Sequence, residues 1–118
     1  MALSRRLKAA LTKYFYLKAF ILKIEELNLE KEIPLWSLVA KEKAISREFI
    51  FEDFKQAFAF MTLSAQYAEQ INHHPDWSNS WNKVNVHLST HSAAALTNLD
   101  VELAKAMDAF ADKVMNPY

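Results

Sequence analysis

The chain has no glycine anywhere in its 118 residues. A tight backbone turn against a phosphate, or a strained turn that lifts a nucleophile, needs a residue without Cβ. The Walker phosphate loop, the GxGxxG dinucleotide turn and the GxSxG nucleophile elbow are therefore excluded. Cysteine is absent as well, which excludes a disulfide scaffold, a thiol nucleophile, a zinc ribbon and an iron–sulfur centre. Any chemistry has to come from histidine, carboxylates and hydroxyls. With 52% hydrophobic residues, a chain of this length is expected to fold as one domain and to bury about two-thirds of its unfolded surface.

The formal net charge is zero, from 14 Lys+Arg and 14 Asp+Glu, but it is unevenly spread. Met1 to Ile24 holds six cations (Arg5, Arg6, Lys8, Lys13, Lys18, Lys23) and no anion, which leaves a net of −6 on the rest. A basic, acid-free start is either the solvated face of a first helix or an organelle transit segment. The expected location is cytoplasmic, with an organelle as the alternative under the second reading. The apolar stretch from Tyr14 to Ile24 has 11 residues and is broken by Lys18 and Lys23. A membrane span needs about 20, so no membrane association is expected.

Leu7, Leu11, Tyr14 or Phe15, Lys18, Ile21 or Leu22 and Glu25 recur at helical spacing, which predicts a helix over residues 4–29 ending before Pro34. Two strands follow, Trp36 to Ala40 and Ala44 to Phe51, around the polar turn Lys41-Glu42-Lys43. Ile45, Phe49 and Phe51 share one parity of the second strand. Asp53 is an N-cap, and Gln56 three residues later completes a capping-box pattern. Phe54, Phe58, Met61, Ala65 and Ala68 then form one candidate buried stripe. Pro75 disfavours the α conformation just before it, so this helix stops near His74. A hairpin, Trp77 to Trp81 and Val84 to Thr90 around Asn82-Lys83, places Val84, Val86 and Leu88 on one side and Asn85, His87 and Ser89 on the other. Thr97 caps a last helix with a stripe of Leu99, Leu103, Met107, Phe110 and Val114. The reading is α+β with two layers: a four-stranded antiparallel sheet carrying three helices on one face, in the order α-β-β-α-β-β-α. The uncovered face or an edge of such a sheet calls for cover, so at least a dimer is expected.

Three of the four histidines fall where secondary structure changes: His73 and His74 at a helix end, His91 just past a strand. Element ends are where side chains converge on a cleft. Glu69, four residues before His73, shares its helix face and is placed to orient the imidazole. Imidazoles titrate near neutrality, which suits acid–base work. The same residues also read as surface histidines at a frayed helix end, or as three ligands of a zinc site. Against zinc, neither HxxxH nor HxH links His73, His74 and His91. Asp100 reads most simply as a helix-capping carboxylate. Trp77 either stacks on a flat heterocycle or fills the core edge, and His87 reads as merely exposed.

The stretch Glu69-x-x-x-His73-His74-Pro75-Asp76-Trp77, then Asn82-x-Val84, Ser89-Thr90-His91 and Leu96-Thr97-x-x-Asp100, resembles the pterin-4a-carbinolamine dehydratases. Ala44-Ile45-x-Arg47-x-Phe49-x-Phe51-x-Asp53-Phe54 and Phe60-Met61 match the same pattern. The resemblance covers residues 35–111. It implies loss of water from a 4a-hydroxytetrahydropterin, with no metal or redox cofactor, in recycling the pterin left by an aromatic amino-acid hydroxylase. It places His73, His74 and His91 around the carbinolamine, with Glu69 and Asp100 in support. Asn72, Pro75, Trp77, Ser89 and Thr90 would meet the flat pterin. It also implies a homodimer or homotetramer and no direct contact with nucleic acid. Animal members bind a homeodomain transcription factor, so a non-catalytic dimerisation or coactivator module is the alternative function. The chain departs from the family at Ala93-Ala94-Ala95, where glycine is common. Ala at positive φ is costly, so the loop is expected to take another path or the helix to begin earlier.

Overall fold

The computed structural model describes residues 29–118. The basic first helix expected over residues 4–29 lies outside them except at its end. There a short helix α1 (Leu29–Glu32) runs three residues past the expected stop and delivers Ile33 to the core. It is followed by β1 (Ser37–Val39), β2 (Ala44–Ile50), α2 (Phe54–Ile71), β3 (Asp76–Ser80), β4 (Lys83–Leu88) and α3 (Asn98–Met115). The strands form one antiparallel sheet in the order β1-β2-β4-β3. The architecture is the expected α+β two-layer arrangement.

Strand parity decides the layers. Ile45 and Phe49 of β2, Phe51 just after it, and Val84, Val86 and Leu88 of β4 are all buried in one cluster with Phe60, Leu103 and Met107 of the helices. The rings of Phe49 and Phe60 lie 4.5 Å apart at its centre. The opposite parity is polar. Ser37, Ser46 and His87 are aligned across β1, β2 and β4, with Asp76 of β3 opposite His87. Glu48, Asn85 and Ser78 form the next row. That uncovered face also carries Ile50, in register with Lys83 and 56% exposed. Other exposed apolar side chains include Leu38, Phe54, Phe58 and Trp81.

Arg47 is the polar exception on the core side. Its guanidinium lies 4.1 Å from the Phe49 ring centroid and pairs with Asp108 of α3. Asp108 also accepts a 2.8 Å hydrogen bond from Trp36 Nε1. The loop ahead of β1 is thereby tied to α3. Glu32 pairs with Lys105 of the same helix. The hydrogen bond and charge of Lys105 hold its carboxyl below the usual carboxylate range.

The structure corrects several local expectations. The buried stripe of α2 is Ala57, Phe60, Ser64 and Ala68, while Phe54 and Phe58 are 47% and 57% exposed. Small residues flank Phe60 on the inner face, where the helix is pressed on the sheet and on α3. Asp53 caps α2 through Gln56 N–H at 2.9 Å, but the Gln56 side chain accepts from Glu52 N–H, one residue early. On α3, Leu103 and Met107 are buried as expected, while Phe110 and Val114 only flank the core. Asp100, Val101, Ala104 and Ala111 complete the buried side of this helix. The hairpin turns at Trp81-Asn82, since Ser80 already pairs with Lys83. Ala94 itself takes the left-handed conformation, φ 50°, ψ 42°, and α3 starts no earlier than Asn98. The glycine-free loop therefore holds a left-handed residue that has a Cβ.

Candidate active site

The site is built where α2 ends. Asn72 adopts φ 50°, and the His73 N–H donates back to the Ala68 carbonyl at 3.0 Å, the hydrogen-bond pattern of a left-handed helix cap. His73 is thus turned off the helix and no longer follows its periodicity. Its Nε2 sits 2.6 Å from Asp100 Oδ1, and both side chains are buried. A carboxylate can only accept, so Nε2 carries the hydrogen and Nδ1 is the nitrogen left to take a proton.

Asp100 is the hub. It is fully buried in the first turn of α3, and its Oδ2 accepts the Thr97 N–H at 2.9 Å and the Thr90 hydroxyl at 2.8 Å. With its own hydrogen committed, Thr90 Oγ1 accepts from the Thr97 hydroxyl at 2.6 Å. A buried charge is tolerated only when its lone pairs are met, and here three donors meet them. The capping role read for Asp100 is real, and the same carboxylate also anchors His73.

The expected pairing of Glu69 with His73 is not found. Glu69 Oε1 lies 3.6 Å from Nε2 of His74, and both side chains are largely exposed. His91, in the 3₁₀ turn His91–Ala93, is 80% exposed and lies 3.6 Å from Asp76 Oδ2. Asp100 joins His73 to Thr90, and Asp76 faces His91, so the segments 72–76 and 89–91 lie side by side. A cleft of about 340 Å³ opens between the β1–β2 turn and the end of β4, lined by Glu42, Asp76, His87, Ser89, Thr90 and His91 among others. His73 and His74 do not line it. Trp77 is half-buried against the core, and Pro75 is half-buried. Asn72 is exposed.

Sequence reasoning missed Glu42 and His87. They are 45 residues apart in sequence yet hydrogen-bond across the cleft wall. Only the shared polar strand face of His87 hinted at it. Each of the four histidines therefore has its own carboxylate: Asp100, Glu69, Glu42 and Asp76. Among the described residues no group of three or more His, Asp or Glu is arranged to hold a metal ion, and no helix is long and apolar enough to cross a membrane.

A two-layer α+β sheet with a buried, carboxylate-held imidazole at a helix end defines a class of compact proteins with a histidine site. The comparisons make it specific. A family model described as pterin 4 alpha carbinolamine dehydratase matches residues 22–110, and the chain belongs to that family. It is 50% identical over 80 residues to a protein of Rhizorhabdus wittichii, provisionally named a pterin-4-alpha-carbinolamine dehydratase, covering 68% of this chain and 82% of that one. A Bradyrhizobium diazoefficiens protein of the same provisional name is 51% identical over 79 residues, 67% of this chain and 79% of its own. The crystal structure of a transcriptional coactivator/pterin dehydratase from Brucella melitensis is similar with a TM-score of 0.67 at 44% identity, covering 69% of this chain and 86% of that one.

Proposed function

We propose that this chain removes water from a 4a-hydroxytetrahydropterin to give the quinonoid dihydropterin, by acid–base catalysis on imidazoles. Family membership supports the dehydratase role, and the buried His73–Asp100 pair at 2.6 Å is the observation that carries the mechanism. The C4a–O bond breaks as the hydroxyl takes a proton and leaves as water. The N5 proton is removed, and its electron pair forms the C4a=N5 bond. No oxidant or reductant is consumed.

His73 is the base. Its Nε2 hydrogen is held by Asp100, so the substrate proton goes to Nδ1, and the Asp100 carboxylate offsets the charge that develops on the ring. His91 faces the cleft on the other segment and supplies the proton to the leaving hydroxyl. His74, oriented by Glu69, borders the same loop. The flat pterin lies across the rim between the two segments, against Ser89 and Thr90 of the cleft on one side and the loop that carries His73, shaped by Asn72 and Pro75, on the other.

The deciding experiment follows dehydration of freshly generated 4a-hydroxytetrahydropterin by stopped-flow absorbance. His73→Ala and His91→Ala are each expected to lower kcat by about 10²-fold or more. Their double variant should be little worse than the poorer single one, because the two act in one transition state. Activity is expected to survive EDTA. Fully multiplicative losses would remove the paired scheme, and loss in EDTA restored by zinc would remove the metal-free reaction.

The working form is proposed to be a homodimer or homotetramer supplied by an aromatic amino-acid hydroxylase. The outer face of α2 is the surface offered for assembly, with the rings of Phe54 and Phe58 exposed and 5.7 Å apart. Light scattering that shows a concentration-independent monomer would contradict this.

A further inference from the structure

Asp76 stands between two imidazoles. Its Oδ2 is 3.6 Å from His91 Nε2, and it is the register partner of His87 across β3 and β4. Opposed residues of an antiparallel pair point to one face, with Cβ atoms about 4.5–5.5 Å apart. His87 is in turn paired with Glu42 from the turn between β1 and β2. All four side chains line the same cleft. Along its wall the order is Glu42, His87, Asp76, His91, carboxylate and imidazole in alternation.

This row answers a need that His73 does not have. His73 is buried and held by a short hydrogen bond. His91 is 80% exposed, and its contact with Asp76, at 3.6 Å, is longer than a hydrogen bond. The Asp76 side chain is itself 73% exposed. An exposed imidazole facing an exposed carboxylate keeps one orientation only if the carboxylate is itself restrained.

We propose that Glu42 and His87 are positioning residues for His91, acting through Asp76. The Glu42–His87 pair fixes the His87 ring on the cleft wall. That ring keeps the Asp76 carboxylate beside it, and Asp76 so placed limits the orientations of His91. The other charged groups lining this cleft are Lys41 and Lys43, which flank Glu42 on the turn. The inference rests on the dehydratase reading for its kinetic arm alone.

Two measurements test it. In steady-state dehydration of 4a-hydroxytetrahydropterin, His87→Ala is expected to lower kcat about threefold to fivefold with KM little changed, the size of a partly exposed electrostatic contact. His87→Gln, whose amide still donates to a carboxylate, should restore most of the loss. In an Asp76→Asn background His87→Ala should cost nothing further. The second measurement needs no substrate: the side-chain nitrogen resonances of His91 by NMR. They should move in His87→Ala and in Glu42→Gln, and stay fixed when His87→Ala is added to Asp76→Asn. A wild-type protein without dehydratase activity would count against the functional reading alone. Unmoved His91 resonances in His87→Ala would overturn the positioning row. So would an undiminished kcat in active protein, or a loss that persists in the Asp76→Asn background.

Discussion

His73 and Asp100 meet at 2.6 Å in the interior, and the Asp100 oxygen not used by His73 ties down the first turn of α3. One carboxylate therefore sets both the tautomer of an imidazole and the start of a helix. Its removal should be felt in stability as well as in rate.

Asp100→Ala strips three buried donors, His73 Nε2, the Thr90 hydroxyl and the Thr97 N–H, of their acceptor. Each unmet buried group costs about 1–3 kcal/mol, less where the site relaxes. A loss of about 3 kcal/mol is expected in urea unfolding. Glu69→Ala, at a side chain 79% exposed, should change stability by less than about 0.5 kcal/mol. Similar losses in the two variants would contradict the hub role.

Ala94 pays for a left-handed backbone with a Cβ in place, φ 50°. That conformation costs a non-glycine residue about 1–2 kcal/mol, while glycine adds roughly 0.5–1 kcal/mol of unfolded-state entropy. Ala94→Gly should therefore raise stability by about 0.5–1 kcal/mol, read as a higher denaturant midpoint at constant slope. A lower midpoint would show that the Cβ makes contacts worth more than the strain.

Ser64 Oγ is buried on the inner face of α2 and has no hydrogen-bond partner among the described residues. Ser64→Ala removes an unmet hydroxyl and adds a better helix former. The expected gain is about 1 kcal/mol in thermal or urea unfolding, and a loss would reveal a partner for the hydroxyl.

Tyr67 donates to Glu102 Oε1 at 3.2 Å, and burial together with that carboxylate pushes its phenol above the usual 10.0. Folding thus favours the neutral phenol. Its contribution is fully present below pH 10 and is lost as pH rises toward the folded value. As pH rises above 10, the denaturant midpoint of the wild type should therefore fall relative to Tyr67→Phe. Parallel pH profiles for the two proteins would refute the shift.

The sheet was the most legible part of the sequence. With a period of two, Val84, Val86 and Leu88 admit only one buried side, and the structure buries all three. Helix α2 was harder to read, because large apolar residues (Phe54, Phe58) lie outside its buried face and small ones (Ala57, Ser64, Ala68) inside. Hydrophobic size points one way there and close packing the other. Glu69 failed as the partner of His73 because helical spacing stops at Asn72, whose backbone turns the chain away. Pairs such as Glu42–His87 depend on which strands become neighbours, and no local pattern carries that. Asp100 was visible as a cap, and its reach to His73, 27 residues away, needed the fold.

The strand order β1-β2-β4-β3 has a consequence for how the chain assembles in time. The β3–β4 hairpin closes over a two-residue turn, but the central pair β2–β4 joins Ile45 to Leu88 with all of α2 between them. Closing so long a loop before contacts reward it is the slow part of folding. During synthesis β4 leaves the ribosome before Asp100, so the sheet can begin to zip while His73 still lacks its acceptor. Only when the start of α3 docks do the helix cap and the imidazole anchor form, in one event. Folding intermediates that lack α3 would hold a paired sheet and no working His73.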